Sequence, residues 1–290
     1  MYDVIIIGRG PAGLSGALYT ARANLKTLII GDDRSSLKKA EKIENYFGFA
    51  EPVKGEDLLK NGESQVLRLG VEIIRDEVIS IEKKDFYHVM TPNKTYEGKA
   101  LLLASGQQQK KVKVKNLTEF EGKGVSYCTT CDGFFYNNMK VGVLGHKDFA
   151  IHEAIELETY TKDITIFTDG LELELSDAYR SEADRYNINK KPVSKLDGAE
   201  FLQRIHFQDG TSEEIDGIFV AYESASSIDF ARKLGVIAEE NSVVVDKDQQ
   251  TNLDGFFAAG DCTGGFKQIS TAVGQGALAA RKIIEYVKSL

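Results

Sequence analysis

The chain has 290 residues, 42% of them hydrophobic and 28% charged, with a formal net charge of −8. This balance predicts a packed globular protein of about two domains and argues against a disordered chain or a general nucleic-acid binder. Three cysteines in a chain this long do not make a secreted disulfide scaffold. No basic leader and no membrane-length apolar run is read, so a cytoplasmic location without membrane contact is expected. In that reducing compartment a Cys-x-x-Cys is more often catalytic or metal-binding than structural.

Val4–Ile7 reads as a short buried strand and Leu14–Ala23 as a helix, with Gly8-Arg9-Gly10-Pro11-Ala12-Gly13 between them. Thr27–Ile30 is the next strand and ends at Gly31-Asp32. This is a βαβ unit with a G-x-G-x-x-G loop. Its glycines allow a tight turn and close approach of a pyrophosphate, which the helix N-terminus stabilises. The acidic residue expected at the second strand's end corresponds to Gly31-Asp32, which leaves the ribose contact open. A polar stretch, Ser35–Lys42, precedes a helix over Glu56–Leu69. Val71–Ile74 and Val78–Ile81 read as strands. Phe86–Thr91 and Thr95–Tyr96 form a meander, and Lys99–Ala104 is a separate buried strand closing at Ser105-Gly106. The lysine-rich Lys110–Lys115 is expected to cross between domains.

Val125–Phe135 then holds Cys128 and Cys131, with Asp132 next door. Two thiols at this spacing can close a disulfide that takes up two electrons. Zinc at this pair is disfavoured, because no second Cys-x-x-Cys or His pair is present. Lys140–Leu144 opens a second strand–loop–helix unit, with helix to about Tyr160 and its second strand at Asp163–Thr168. A hairpin turns at Asp209-Gly210, and Ile218–Tyr222 is another buried strand. Phe256-Phe257-Ala258-Ala259-Gly260-Asp261 precedes a last helix from about Gln268 to Val287. Small residues near its start would let it lie close to a ligand or a strand.

Over essentially its whole length the chain resembles the low-molecular-weight thioredoxin reductases. The matching pieces are the first glycine loop with Ala21-Arg22-Ala23, Glu44-Asn45-Tyr46-x-Gly48, Ala104-x-Gly106, Cys128-x-x-Cys131-Asp132-Gly133-Phe134-Phe135, and Ala259-Gly260-Asp261. The resemblance implies an α/β protein of two Rossmann-like, three-layer ββα nucleotide-binding domains. The FAD domain would be discontinuous, residues 1–112 plus 244–290. A smaller NADPH-like domain, residues 113–243, would be inserted in it and carry the redox cysteines. A homodimer and a thioredoxin substrate are also implied. The candidate cofactor residues are Gly8, Gly10, Pro11, Ala12, Gly13, Gly31, Asp32, Asn45, Val78, Ala104, Gly106, Gly260, Asp261, Lys267, Gln268 and Ile269. By the same resemblance Asp261 accepts from a sugar or ribityl hydroxyl, and Lys267-Gln268 stands where the family has Arg-Gln, keeping charge without the planar fork.

The second loop departs from the family. NADPH-using relatives carry G-x-G-x-x-A, whereas this chain reads Gly145-His146-Lys147-Asp148-Phe149-Ala150. Lys147 puts a side chain where the second glycine lets a pyrophosphate approach. The next strand ends in Asp169, Glu172 and Glu174 where those relatives have arginines. A phosphate beside such like charges loses on the order of 1–3 kcal/mol. NADPH is therefore expected to be a poor donor, and the chain looks like the ferredoxin-dependent flavin thioredoxin reductases; the deeply rooted thioredoxin reductases also lack these motifs. Candidate basic patches for an acidic ferredoxin are Lys38, Lys39 and Lys42, or Lys110, Lys111, Lys113 and Lys115; for either group taken alone, ordinary solubilising lysines are the stronger reading.

The catalytic residues by family analogy are Cys131 facing the flavin, Cys128 attacking thioredoxin, and Asp132 as the acid that protonates the leaving thiolate. Asp132 could also cap a helix. A rotation of the inserted domain, hinged near Lys111–Val114 and Asn241–Val245, is expected. Two other functions stay open: an NAD(P)H-dependent disulfide reductase with a degenerate loop, and a flavin redox sensor without turnover. Cys262 reads as a small buried residue near the flavin. No histidine is given a catalytic role.

Overall fold

The computed structural model describes residues 1–33, 35–106, 112–222, 226–239 and 242–290. The chain divides into two compact units, Met1–Gln108 with Ser226–Leu290, and Gln109–Ala225.

The first unit begins with β1 (Tyr2–Ile7), α1 (Pro11–Arg22) and β2 (Thr27–Ile30), followed by α2 (Gly55–Arg68), β3 (Glu72–Ile74), β4 (Ser80–Lys83), β5 (Tyr87–Met90) and β6 (Thr95–Leu103). The fully apolar runs of β1 and β2 are those of strands buried on both faces, and they pair in parallel from Val4 with Thr27 to Ile7 with Ile30. β6 departs from the expectation of two strands. Its first half alternates exposed and buried residues in an antiparallel pair with β5, and its second half is continuously buried and parallel to β1. The change of pattern reads as a break, but Gly98 lets the backbone pass without one, since a Cβ there would come 2.7 Å from Ile5 Cγ1.

The second unit contains β7 (Val125–Ser126), α3 (Thr129–Asp132), β8 (Val141–Leu144), α4 (Asp148–Leu157), β9 (Ile164–Phe167), α5 (Asp177–Ala183), β10 (Asn187–Asn189), β11 (Val193–Gly198), β12 (Leu202–Phe207), β13 (Ser212–Glu214) and β14 (Gly217–Val220). Five strands form a parallel sheet in the order β10-β9-β8-β14-β7, and β11-β12-β13 form a separate antiparallel sheet. Both rest on one apolar core that includes Leu144, Phe167, Leu196, Ile205 and Ile218.

The chain then returns with α6 (Ser227–Lys233), β15 (Ala238–Glu239), β16 (Ser242–Val243), β17 (Phe256–Ala258) and α7 (Ile269–Ser289). The first compact unit resumes at Ser226. There the Ser227 hydroxyl donates to the Gly106 carbonyl at 2.8 Å and lies 2.7 Å from Ser105 Oγ. Ser226 and Asp229 form a reciprocal capping box that starts α6 there. β17 joins the first sheet by pairing with β6, from Phe256 with Leu101 to Ala258 with Leu103. The small residues of α7 let it lie against α1: a Cβ on Gly276 would lie 2.2 Å from the Ala12 carbonyl oxygen, and the Ser15 hydroxyl donates to Val273 O at 2.8 Å. Among the described residues no helix is long and apolar enough to cross a membrane.

Candidate active site

In the first unit the glycine loop lies between β1 and α1, at the carboxyl ends of the parallel strands. Gly8 has φ +113°, and a Cβ there would stand 2.2 Å from the Ala104 carbonyl oxygen; one on Gly13 would stand 2.0 Å from Gly8 O. Only glycine fits either position. A Cβ on Gly10 would meet no atom within 4 Å. Gly10 is also the N-cap of α1 and offers no side chain to its first-turn amides, with Pro11 following it. Backbone N–H groups at such a helix start hold an anionic oxygen.

Several other predicted residues gather in the same unit. Gly260 has φ +85°, and its Cβ position is 3.0 Å from Ala12 Cβ, so the loop before α7 meets the first glycine loop. Its N–H donates to Gln275 Oε1 at 2.8 Å. Asp261 opens a short 3-10 turn, and Ala104 N donates to Ile7 O at 2.7 Å. Asn45 Nδ2 donates to Gln268 Oε1 at 3.0 Å, joining two residues far apart in sequence. Gln268 is the N-cap residue of α7, Ile269 begins it, and Lys267 is exposed just before. Gly106 has φ +70°. Val78 is buried in the connection between β3 and β4. Of the proposed basic patch, Lys38 lies 3.5 Å from Asp33 and Lys42 lies 2.8 Å from Glu44. Lys110 and Lys111, and the expected hinge positions Lys111 and Asn241, lie outside the described residues.

Sequence reasoning missed Arg9. Its guanidinium is 5% exposed, pairs through Nη2 with Asp33, and donates from Nε to Asp32 O at 3.2 Å. Arg9 Nη2 also lies 3.4 Å from Glu63 Oε1. The Arg9 guanidinium holds the Asp33 carboxyl below its ordinary range. Asp33, beside the expected Asp32, is thus an acid at the end of β2 with a charged partner. The visible signal was a cation inside the glycine loop with two acids after the second strand.

In the second unit Cys128 and Cys131 form a disulfide with Cα atoms 5.3 Å apart. Cys128 is 3% exposed, whereas Cys131 is exposed. Cys128 is the N-cap of α3, and its sulfur accepts from the Cys131 N–H at 3.2 Å. Asp132 ends that turn and stands at the N-cap position of the 3-10 helix Gly133–Tyr136, without a side-chain capping hydrogen bond. Its carboxylate instead accepts from the Ser126 hydroxyl at 2.6 Å, and Ser126 Oγ accepts from Cys128 N at 3.1 Å. Below the turn, buried Glu153 accepts from the Thr129 hydroxyl. Burial, and next the Asp132 charge, push the neighbouring Tyr136 phenol up.

The altered loop of this unit is bound by its own chain. Glu174 N donates to His146 O at 2.9 Å, and Lys147 and Glu174 form a parallel β-bridge. Lys147 Nζ lies 3.8 Å from Glu174 Oε2. Asp148, the first residue of α4, places its own carboxylate at that helix start and accepts from Ser176 N at 2.9 Å. Asp169 accepts from Val193 N at 2.7 Å and from the Tyr222 hydroxyl at 3.1 Å, while Glu172 pairs with Lys190 at 2.6 Å. Among the described residues no three His, Cys, Asp or Glu side chains gather as a metal site.

A family model described as pyridine nucleotide-disulphide oxidoreductase matches residues 2–276. The chain belongs to the pyridine nucleotide-disulphide oxidoreductase family. Its sequence is 34% identical to a thioredoxin reductase of Listeria innocua over 100% of this chain and 95% of that one. It is 32% identical to that of Bacillus subtilis, over 100% and 96%. Among solved structures it is similar to the atypical thioredoxin reductase TRi from Desulfovibrio vulgaris Hildenborough, with 40% identity, a TM-score of 0.96, and coverage of 100% and 99%. It is also similar to a ferredoxin-flavin thioredoxin reductase from Clostridium acetobutylicum, with 29% identity, a TM-score of 0.71, and coverage of 100% and 99%. This member of the family is a flavin-dependent, thioredoxin reductase-like disulfide oxidoreductase, and its flavin is FAD. The first unit fits that cofactor: two glycines with no room for a side chain, an uncapped helix start beyond Gly10, and a buried Arg9 N–H in the glycine loop with no hydrogen-bond partner among the described residues.

Proposed function

We propose that the protein reduces thioredoxin through Cys128 and Cys131, with electrons from reduced ferredoxin rather than from NAD(P)H. The observation that carries the choice of donor is the bridge between Lys147 and Glu174. It runs across the loop where a second dinucleotide would lay its pyrophosphate, and Asp148 already supplies a carboxylate to the α4 N-terminus. A phosphate entering there has to break backbone hydrogen bonds and sit beside fixed negative charge. The ferredoxin named in the Clostridium relative supports the alternative donor. A pyridine nucleotide in the family's description is the competing reading.

FAD is held in this reading by Gly8–Gly13, Gly31 and Asp32, Asn45, Val78, Ala104 and Gly106, Gly260 and Asp261, and Lys267–Ile269. When bound it accepts electrons singly and passes them on as a pair. The Cys128–Cys131 disulfide takes two electrons and two protons and becomes a dithiol. The thiolate of Cys128 then attacks the thioredoxin disulfide, forming a mixed disulfide and releasing a thioredoxin thiolate. Cys131 resolves that bond, which restores the ring and leaves thioredoxin as a dithiol. Asp132 supplies a proton to the departing sulfur, and the Ser126 hydroxyl at 2.6 Å fixes where its carboxyl points. Cys128 is buried, so its attack requires the α3 turn to become accessible. The resemblance also supports a homodimer, which sedimentation tests.

Rapid mixing decides between the donors. Reduced ferredoxin should bleach the flavin and drive thioredoxin turnover, and NADPH should do neither. Fast bleaching by NADPH would favour the nucleotide-dependent reading. Flavin reduction without thioredoxin turnover would favour a sensor.

A further inference from the structure

Arg9 occupies the first variable position of the glycine loop, where its charge has no part in making the turn. The side chain is nevertheless buried and held on two sides: Nη2 on Asp33, and Nε on the Asp32 carbonyl. The neighbouring backbone is shaped to admit it. A Cβ on Gly31 would come 3.0 Å from Arg9 Cγ and 3.3 Å from Arg9 N. The remaining nitrogen, Nη1, is buried and has no hydrogen-bond partner among the described residues. A buried charged donor left unmatched is costly in a folded protein.

We infer that Arg9 is the residue that selects the adenosine half of FAD, its Nη1 donating to the 2′-hydroxyl oxygen of the adenosine ribose. In a βαβ nucleotide unit the end of the second strand is where the ribose lies, and an acid there accepts from the hydroxyl. Here Asp33 supplies that acid, and Arg9 holds it while offering a donor to the same group. A hydroxyl suits this pair because it both donates and accepts. The pyrophosphate has its own place at the α1 start, so Arg9 need not bind it. The assignment rests on FAD alone and is independent of the electron donor.

The test uses purified protein and flavin affinity, read from flavin fluorescence after release and rebinding. Arg9→Gln should weaken FAD about tenfold or more and leave FMN, which has no adenosine, unchanged. Arg9→Lys keeps the charge beside Asp33 but loses the fork, and should lose about as much as Arg9→Gln. Should either variant fold poorly, the native protein still answers: an FAD analogue with 2′-deoxyadenosine should bind about tenfold more weakly than FAD. Equal affinity for FAD and that analogue, or full rescue by Arg9→Lys, would overturn the assignment. So would tighter binding of an analogue with a 2′-phosphate.

Discussion

The Thr129 hydroxyl donates to a Glu153 carboxylate oxygen at 2.6 Å, and Glu153 is 2% exposed. Thr129 N lies 3.4 Å from the same oxygen, so α4 supports the first turn of α3, where the cysteines sit. Glu153→Ala removes the acceptor from beneath two donors. It should cost about 1–3 kcal/mol of stability, read as a lower urea midpoint with an unchanged slope. Glu153→Gln keeps an acceptor oxygen and should cost less. Equal midpoints for the alanine variant and the parent would show that the contact contributes nothing.

Cys131→Ser should abolish thioredoxin reduction while the protein keeps its FAD absorbance. The ring can no longer form, so no pair of sulfurs stores two electrons. Retained turnover would refute the assignment of the disulfide.

Asp132→Asn preserves shape and removes the ionisable proton. Thioredoxin turnover should fall about a hundredfold or more, with little change in melting temperature, because a positioned acid contributes roughly that much. Measuring turnover beside the melting curve separates chemistry from folding. A fall of less than threefold would leave Asp132 a partner of Ser126 and nothing more.

Cys262 is the remaining thiol. It is fully buried, and burial pushes it up from 9.0 to about 12. A thiol raised in this way stays protonated, and the thiolate is the reactive form. Iodoacetamide at pH 8 should label the reduced Cys128–Cys131 pair and leave Cys262 unmodified in native protein, as peptide mass analysis would show. The sign for stability follows: the unfolded thiol ionises first, so the contribution is intact below pH 9 and is lost as pH rises from 9 towards 12.

The two nucleotide-type starts were legible because each combines an apolar strand, a glycine turn and a helix within a few residues. Their chemistry is local, so sequence order carries it. The cysteine turn was legible for the same reason. What escaped was mostly relational. β6 looked like two strands because its neighbours change halfway along. Asp132 stands at a cap position, but spacing does not say that its carboxylate turns to Ser126 while Cys128 caps α3. α6 carried its signal in Ser226 and Asp229, a capping box, yet that stretch was passed over. Lys147 was read as a steric obstacle; that Glu174 bridges to it depends on how two loops fold back on each other.

β6 is completed by β17, a strand that leaves the ribosome only after the whole middle unit has been made. Until residues 256–258 arrive, the amides and carbonyls of Leu101–Leu103 lack one neighbour, and the start of α1 lacks the loop that meets it. The middle unit is contiguous and complete by residue 225. The half begun first is therefore obliged to finish last, through pairings of very large sequence separation that form slowly. A nascent chain paused between residues 225 and 256 would carry a finished insert beside an open β6 edge, the kind of unpaired strand flank that invites other chains to pair with it.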